Sequence, residues 1–244
     1  MSIERNCLSF WFPKLLAAGL PVPRTEIVDI GYEEWGRLRS ALEGEPVVYS
    51  TAKIEEAVDR IGRPCFLRTG QTSGKHQWKG TCYIGEGADI SRHVFALVEY
   101  SECAGFMGLP ANVWCARELL PTKPLMRCDR YGDMPVCKEF RFFVRDKDVV
   151  CWHPYWPLDS LKQGMHEPPP DIGKAYTELR FTKTIDVREM FDLASLAGAA
   201  LGGEWSVDIL ETERGWYITD MAVAGDSFHW EGCEKAAQFK RSEI

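Results

Sequence analysis

Two β-rich segments near the end of the chain, 205–210 and 216–221, flank a polar stretch at 211–215. Runs of β-formers on either side of a short polar break that contains glycine predict a β-hairpin. If the whole polar stretch forms the loop, Leu210 pairs with Trp216. A hairpin here constrains the fold, because it fixes two neighbouring strands of one antiparallel sheet.

That register places Asp208 opposite Ile218 and Asp220 opposite Ser206. The two aspartates then share a face as diagonal neighbours, roughly 7–8 Å apart. Two carboxylates at this separation can share one cation, or two bridged cations, through oxygen ligands. The alternative is a pair of solvated carboxylates, although aspartate is depleted from strands.

The composition is that of an ordinary globular protein. With 244 residues, a 45% hydrophobic fraction and a 27% charged fraction, the chain can form one large domain or two or three small lobes. Its net charge of −7, without a basic run, argues against duplex nucleic acid as a partner.

The cysteine pattern and the termini indicate the compartment. Nine cysteines without a C-x-x-C pair favour reduced thiols over a disulfide framework or a zinc site. The first residues carry charges where a signal peptide needs an apolar core, and no apolar run reaches membrane length. We therefore expect a cytoplasmic protein with no membrane partner.

A polar loop lies between the β-rich segments 64–68 and 81–84. Its glycine, serine, threonine and basic residues can offer backbone N–H groups and positive charge to phosphate. It is not a P-loop, because only three residues separate Gly70 from Gly74, and His76 follows the lysine. A flexible hairpin tip remains an equal alternative.

A second hairpin is predicted over 137–155, where Glu139 and Arg141 alternate onto one face. An internal ion pair would explain both residues. An arginine directed at phosphate, beside a metal-binding carboxylate, would explain them equally well. We expect this hairpin, the strand 113–120 and the segment 205–221 to lie in one sheet.

The stretch 157–183 contains three consecutive prolines and little periodicity, which indicates a long loop or lid. The run 187–201 is predicted to be helical. We interpret His153, His166 and His229 as structural or loop residues, since neither a Ser–His–Asp order nor an HExxH motif is present.

Four fragments in order resemble the ATP-grasp superfamily. KLLAAGLPVPRTEIV is similar to its early motif, RIGRPCFLRTG to its small-lobe strand, AREL to its adenine-binding hinge, and WSVDIL with GWYITDMA to its closing motif. The match runs from about residue 10 to 230. EFRFFV and the hairpin resemble a compact branch, which includes the ATP-grasp-like factor that assists assembly of eukaryotic translation initiation factor two and small bacterial and viral relatives.

The resemblance implies an α+β, ATP-grasp-like fold in which two α+β lobes hold ATP between them. It implies an N-terminal segment at 1–62, a small lobe at 63–112 and a large lobe with the metal-binding hairpin at 113–244. The separate N-terminal lobe of many ATP-grasp ligases is expected to be absent, because little chain precedes residue 10.

The resemblance also implies a site for ATP and Mg²⁺. Arg68 and Arg141 would be the catalytic cations, one at the α- and β-phosphates and the other at the γ-phosphate. Asp208 and Asp220 would bind the metal. The nucleotide-binding residues would be Lys14, Arg68, Thr72, Ser73, Gly74, Lys75, Arg117, Glu118, Leu119, Leu120 and Arg141.

Two departures from the family pattern affect the site. Arg68 replaces a lysine, which keeps the charge and changes the donor geometry. Ala222 stands where an asparagine would give the metal an amide oxygen, and Asp226, Ser227 or water could replace that ligand.

Three functions are compatible with this pattern. The first is ATP-dependent ligation of a carboxylate to an amine or a thiol through an acyl phosphate, with an amino acid, peptide or protein as the acceptor. The second is an ATP-loaded assembly factor or binding module without turnover. The third is a kinase-like phosphotransferase. We favour the ligase slightly.

Overall fold

The computed structural model of the chain describes residues 2–104 and 108–239. Its helices are α1 (Ser2–Asn6), α2 (Leu8–Ala17), α3 (Gly31–Leu42), α4 (Ala52–Ile61), α5 (Ile90–Glu102), α6 (Leu158–Gln163), α7 (Ile172–Arg180) and α8 (Thr184–Leu201). Its strands are β1 (Thr25–Asp29), β2 (Cys65–Thr69), β3 (Tyr83–Ile84), β4 (Val113–Glu118), β5 (Met126–Cys128), β6 (Met134–Val136), β7 (Glu139–Arg145), β8 (Asp148–Pro154), β9 (Glu204–Thr212) and β10 (Gly215–Val223).

The described residues form two compact units. The first contains those of 1–22, 121–128 and 135–244, and the second those of 23–120 and 129–134. Each unit has one four-stranded sheet, in the order β10-β9-β7-β8 in the first and β1-β4-β2-β3 in the second. The strands β5 and β6 pair separately.

The second unit follows the periodicity of its sequence. Ile54, Ala57, Val58 and Ile61 recur at helical spacing, and all four are buried in the core that α4 shares with the sheet. Gly62 then ends the helix with φ of +88°, a conformation that a glycine adopts without steric cost.

The predicted hairpin over 64–84 is confirmed. Strands β2 and β3 are antiparallel, with Cys65 paired to Ile84 and Phe66 to Tyr83. Trp78 of the connecting loop packs against Phe66 and Tyr83, at ring-centroid distances of 5.7 Å in both cases. The loop is therefore held against the strands that it connects.

The sheet of the first unit has one apolar face and one polar face. Phe140 and Phe142 of β7 are fully buried, as are Val207 and Ile209 of β9. Phe142 packs against Phe191 of α8 at 5.4 Å between ring centroids, so α8 covers the apolar face. Alternate residues of the same strands form the polar face, because successive side chains of a strand point to opposite sides.

The hairpin β9–β10 is present, but its predicted register is wrong. Leu210 pairs with Tyr217 and not with Trp216, because the turn contains only Glu213 and Arg214. The Thr212 hydroxyl closes this turn by donating to Gly215 O at 2.7 Å and accepting from Arg214 N at 3.0 Å. The hydrogen bonds of Thr212 therefore close a turn at 213–214, whereas the polar composition of 211–215 predicted a longer loop.

The expectation that 113–120 shares a sheet with the two hairpins is also wrong. Strand β4 pairs with β1 and β2 in the second unit, whereas β7 to β10 form the other sheet. The chain passes from one unit to the other after residues 22, 120, 128 and 134. Hydrogen bonding to β1 and β2, and not position along the chain, assigns β4 to its unit.

The expected long loop at 157–183 contains two helices, α6 and α7. Each buries a single side chain, Leu161 and Leu179 respectively. One buried residue per helix leaves no repeated apolar spacing, so periodicity could not identify these helices. Within the described ranges, no helix is both long enough and apolar enough to cross a membrane.

Candidate functional site

Four polar side chains form a row across the polar face of the first unit's sheet. The strand registers place His153 opposite Arg141, Arg141 opposite Asp208, and Asp208 opposite Asp220. Residues directly opposite one another in antiparallel strands share a face, with Cβ atoms about 4.5–5.5 Å apart. The row therefore brings together one predicted phosphate cation and two predicted metal ligands.

A β-bulge at Thr219 produces the pairing of the two aspartates. The register shifts between Ile218 and Asp220, so that Asp220 and not Thr219 lies opposite Asp208. Without this extra residue the two carboxylates would be on opposite faces of the sheet. The Thr219 hydroxyl lies 3.3 Å from Asp208 O and 3.5 Å from Glu139 Oε1, and its single proton can be donated to either oxygen.

Arg141 and Asp208 form a buried bidentate ion pair. Arg141 Nε donates to Asp208 Oδ1 at 2.7 Å and Nη2 donates to Oδ2 at 2.8 Å. The side chains are only 14% and 5% exposed. Burial alone would lower the pKa of Arg141, but the negative charge and hydrogen bonds of Asp208 outweigh it and raise that pKa above its ordinary value.

The remaining contacts of Arg141 fix its plane. The guanidinium carbon lies 4.7 Å from the centre of the Tyr155 ring, and Nη1 donates to Phe228 O at 3.3 Å. Of the two explanations for Arg141, the structure shows an internal ion pair, and its partner is Asp208. A role at the γ-phosphate stays a prediction.

His153, at the end of the row, is held neutral at pH 7. Its Nδ1 lies 2.9 Å from Pro154 O, which identifies Nδ1 as the protonated nitrogen that donates. Burial lowers the pKa of His153 to about 4, and nearby His229 and Arg141 contribute to the shift. The row thus presents one net negative charge, because Arg141 compensates one of its two carboxylates.

Asp226 lies in a short turn after β10, Ala224–Asp226, and is anchored by the N-terminal helix. Asn6 Nδ2 donates to Asp226 Oδ2 at 2.7 Å, and Asn6 Oδ1 accepts from Val223 N at 2.6 Å. Ala222 pairs with Ser206, whose hydroxyl contacts Ser227. Serine and aspartate oxygens therefore flank the position that lacks the asparagine.

These residues provide oxygen ligands of the kind that Mg²⁺ prefers. Among the described residues, however, Asp208, Asp220 and Asp226 do not form a cluster whose ligand atoms all lie within 4.8 Å of one another. Asp208 also uses both oxygens in the pair with Arg141. Mg²⁺ binding through Asp208 and Asp220, with water completing the coordination, stays a prediction.

In the second unit, Arg68 lies in the middle of the sheet. It is buried, it pairs with Cys115 of β4, and its Nε donates to Thr69 O at 3.0 Å. Burial of an arginine inside a strand costs free energy unless a partner compensates its charge. A partner within the protein and a bound phosphate are both compatible with this requirement. Its nucleotide contact stays a prediction.

The loop after Arg68 is ordered by its own hydroxyl groups. The Thr72 hydroxyl lies 2.8 Å from the Ser101 hydroxyl and 3.1 Å from that of Thr69. Gly74 adopts φ of +60°, and Gly74 O accepts from Thr81 Oγ1 at 2.7 Å. The Thr72 hydroxyl is therefore engaged in hydrogen bonds within the unit. Ser73, Gly74 and Lys75 are the better candidates for a phosphate contact.

The predicted adenine-binding segment begins inside the sheet. Glu118 N donates to Arg24 O at 2.9 Å, and Arg117 Nε donates to Thr25 Oγ1 at 3.2 Å. The adenine contact of residues 117–120 stays a prediction.

Lys14 belongs to α2 in the first unit, where its ammonium lies 3.8 Å from the centre of the Phe10 ring. This cation–π contact accounts for its position without a ligand. Its nucleotide role also stays a prediction.

One cluster of metal-ligating side chains was not predicted from the sequence. Cys151, His229 and Cys233 have ligand atoms that all lie within 4.8 Å of one another. No C-x-x-C pair marks this cluster, because its residues come from β8 and from the segment after β10. The H-x-x-x-C spacing of His229 and Cys233 was the available signal.

Comparison with known proteins places the fold. No family model matches the chain, and no curated protein matches it. A C-terminally truncated Cdc123 from Schizosaccharomyces pombe superposes with a TM-score of 0.54 at 12% identity, over 91% of this chain and 84% of that one. The chain has an ATP-grasp fold. Another Cdc123 structure from the same organism gives a TM-score of 0.51 at 14% identity, with the same coverage.

A D-alanine–D-alanine ligase from Bacillus anthracis in complex with ATP also matches, with a TM-score of 0.49 at 10% identity, over 91% of this chain and 57% of that one. The two Cdc123 structures confirm, at the level of fold, the expected α+β, ATP-grasp-like class and the resemblance to the compact branch.

Proposed function

We propose that this ATP-grasp protein binds Mg²⁺-ATP and uses it to join a carboxylate to an amine or a thiol through an acyl phosphate. The observation that supports the proposal is the row of Arg141, Asp208 and Asp220 on one face of the sheet in the first unit. Apolar packing covers the opposite face of that sheet. A fold that places two carboxylates and an arginine side by side offers ligands for a metal and for a phosphate together.

Asp208 and Asp220 would hold Mg²⁺, with Asp226, Ser227 or water as a further ligand. Bound Mg²⁺ supplies charge neutralisation for the triphosphate. Arg141 would orient Asp208 through the bidentate pair. Its Nη1 atom, which donates to Phe228 O at 3.3 Å, would also donate to a phosphate oxygen. Such catalysis consists mainly of positioning and charge stabilisation.

In the second unit, Arg68 and the loop residues Ser73, Gly74 and Lys75 would contact phosphate, and Leu119 with Leu120 would contact the base. Gly74 shapes the turn between Ser73 and Lys75, because its φ is +60° and a Cβ there would meet the side chains of Leu97 and Thr81. Lys14 and Thr72 contribute less, since each has an internal role.

The acceptor is an amino acid, a peptide or a protein. The experiment that tests the proposal measures release of ADP and phosphate with pooled amino acids and peptides, supplied with and without a carboxylate substrate. We expect release to require both substrates and to be lost in Asp220→Asn. Release that needs neither substrate, or a phosphorylated acceptor as the final product, would contradict ligation, and the latter would indicate a kinase.

The alternative is an ATP-loaded binding module without turnover. Ala222 favours it, because this residue has no oxygen ligand at the position where the family carries asparagine. A weaker metal site would retain ATP and reduce transfer. Tight ATP binding with negligible turnover, together with a stable partner complex in a pull-down, would distinguish this function from ligation.

A further inference from the structure

A second cluster of ligating atoms lies outside the row of charged residues. Cys151 Sγ is 3.1 Å from His229 Nε2, and the ligand atoms of Cys151, His229 and Cys233 all lie within 4.8 Å of one another. Each of the three residues is partly buried. None has a role in the proposed nucleotide site.

The backbone after β10 returns Cys233 to His229. Cys233 N donates to Trp230 O at 3.3 Å, which closes a turn, and Gly232 within it adopts φ of +80°. Three residues separate His229 from Cys233, a spacing within the range of paired zinc ligands on a short loop. Cys151 then contributes the third ligand from a strand of the sheet.

Aromatic rings surround His229 and fix its orientation. The His229 ring lies 4.2 Å from the Phe143 ring and 6.4 Å from the Phe239 ring, and these two phenylalanines are 5.3 Å apart. Phe143 and Phe239 are almost fully buried. An apolar surround of this kind limits the access of water and positions the ligands before a metal arrives.

We propose that Cys151, His229 and Cys233 form a Zn²⁺ site. Two thiolates and a neutral imidazole balance the charge of a divalent ion, and the two thiol protons pass to solvent as the metal binds. Tetrahedral zinc holds sulfur and nitrogen ligands about 3.5–3.8 Å apart, given bonds of about 2.3 Å and about 2.05 Å, so the trio needs only small side-chain movements. A water molecule takes the fourth position.

Sulfur and nitrogen ligands distinguish this site from the oxygen ligands of the row, because thiolates select zinc and not magnesium. The ion would connect β8 to the segment that follows β10. The same segment carries Phe228, whose carbonyl oxygen accepts from Arg141. The zinc site would thereby stabilise the backbone that contacts the central arginine of the row.

The experiment uses the full chain, purified and kept in a phosphine reductant. Metal content is measured by mass spectrometry, and Co²⁺ is then titrated into metal-depleted protein. We expect about one Zn²⁺ per chain and a thiolate-to-cobalt charge-transfer band that saturates at about one equivalent. Chelation should lower the melting temperature, and Zn²⁺, but not Mg²⁺, should restore it.

The matched variants are Cys233→Ser and Cys103→Ser, because Cys103 is an exposed cysteine outside the cluster. We expect Cys233→Ser to lose the cobalt band and the response to chelator, while Cys103→Ser keeps both. An unchanged band in Cys233→Ser would overturn the assignment. So would wild-type protein that binds neither metal, or a Cys151–Cys233 disulfide that persists under the reductant.

Discussion

The buried pair of Arg141 and Asp208 predicts that two chemically identical substitutions on the same face have different effects on stability. Asp208→Asn keeps the shape of the side chain and removes the charge that accepts two hydrogen bonds from the buried guanidinium of Arg141. Loss of one partner from a buried pair costs about 3–5 kcal/mol, and the retained amide oxygen offsets a part of that cost. We therefore expect the free energy of unfolding to fall by about 3 kcal/mol.

Asp220→Asn is the matched control, because Asp220 lies directly opposite Asp208. Removal of its charge relieves repulsion between two neighbouring carboxylates, so stability without nucleotide should hold or rise. A loss of about 3 kcal/mol corresponds to a fall of roughly 6–12 °C in melting temperature for a chain of this size.

The assay is thermal denaturation of both variants and of the wild type, followed by circular dichroism, without Mg²⁺ or nucleotide. The single variant Arg141→Gln and the double variant Arg141→Gln with Asp208→Asn complete the cycle, and the double variant should recover part of the loss. Equal melting temperatures for Asp208→Asn and Asp220→Asn would refute the argument, as would a loss below about 1 kcal/mol for Asp208→Asn.

Three further outcomes follow from individual residues. Arg68→Ala should weaken ATP binding in calorimetry by about 1–3 kcal/mol with the fold intact by circular dichroism, and unchanged affinity would exclude Arg68 from the site. A Cβ at Gly198 would overlap Asp146 O, so Gly198→Ala should lower the melting temperature. Gly173→Ala is the control and should not lower it, because the added Cβ meets open space. Equal effects of the two substitutions would contradict the packing of α8. Burial raises the pKa of the Cys65 thiol from 9.0 to about 11, so the contribution of this thiol to stability is complete below pH 9 and is lost as the pH rises toward 11. Cys65→Ala should make the loss of stability over this pH range smaller. An unchanged profile of stability against pH would contradict this prediction.

The sequence predicted those features that depend on local periodicity. Ile54, Ala57, Val58 and Ile61 recur at helical spacing, which places them on one face of α4, and all four are buried. The hairpin β9–β10 was identified from its β-formers. The shared face of Asp208 and Asp220 was predicted from a wrong register, and the structure provides it through the bulge at Thr219.

The remaining features depend on contacts between residues that are distant in the chain. The partner of Arg141 is Asp208, 67 residues away, and no spacing rule connects them. Cys151 contacts His229, which lies 78 residues further along the chain. Strand β4 joined the second unit because of its hydrogen bonds to β1 and β2. These residue and strand pairings are determined by tertiary packing, which cannot be inferred from a single sequence.

Isothermal titration calorimetry of ATP binding, with and without Mg²⁺, tests the central claim most directly when the wild type is compared with Asp220→Asn. The claim is that the carboxylates of the row hold the metal of Mg²⁺-ATP. The account predicts that wild-type affinity for ATP rises with Mg²⁺ and that Asp220→Asn loses this increase while its melting temperature without nucleotide is maintained. An Asp220→Asn variant with the same Mg²⁺ dependence as the wild type would contradict it.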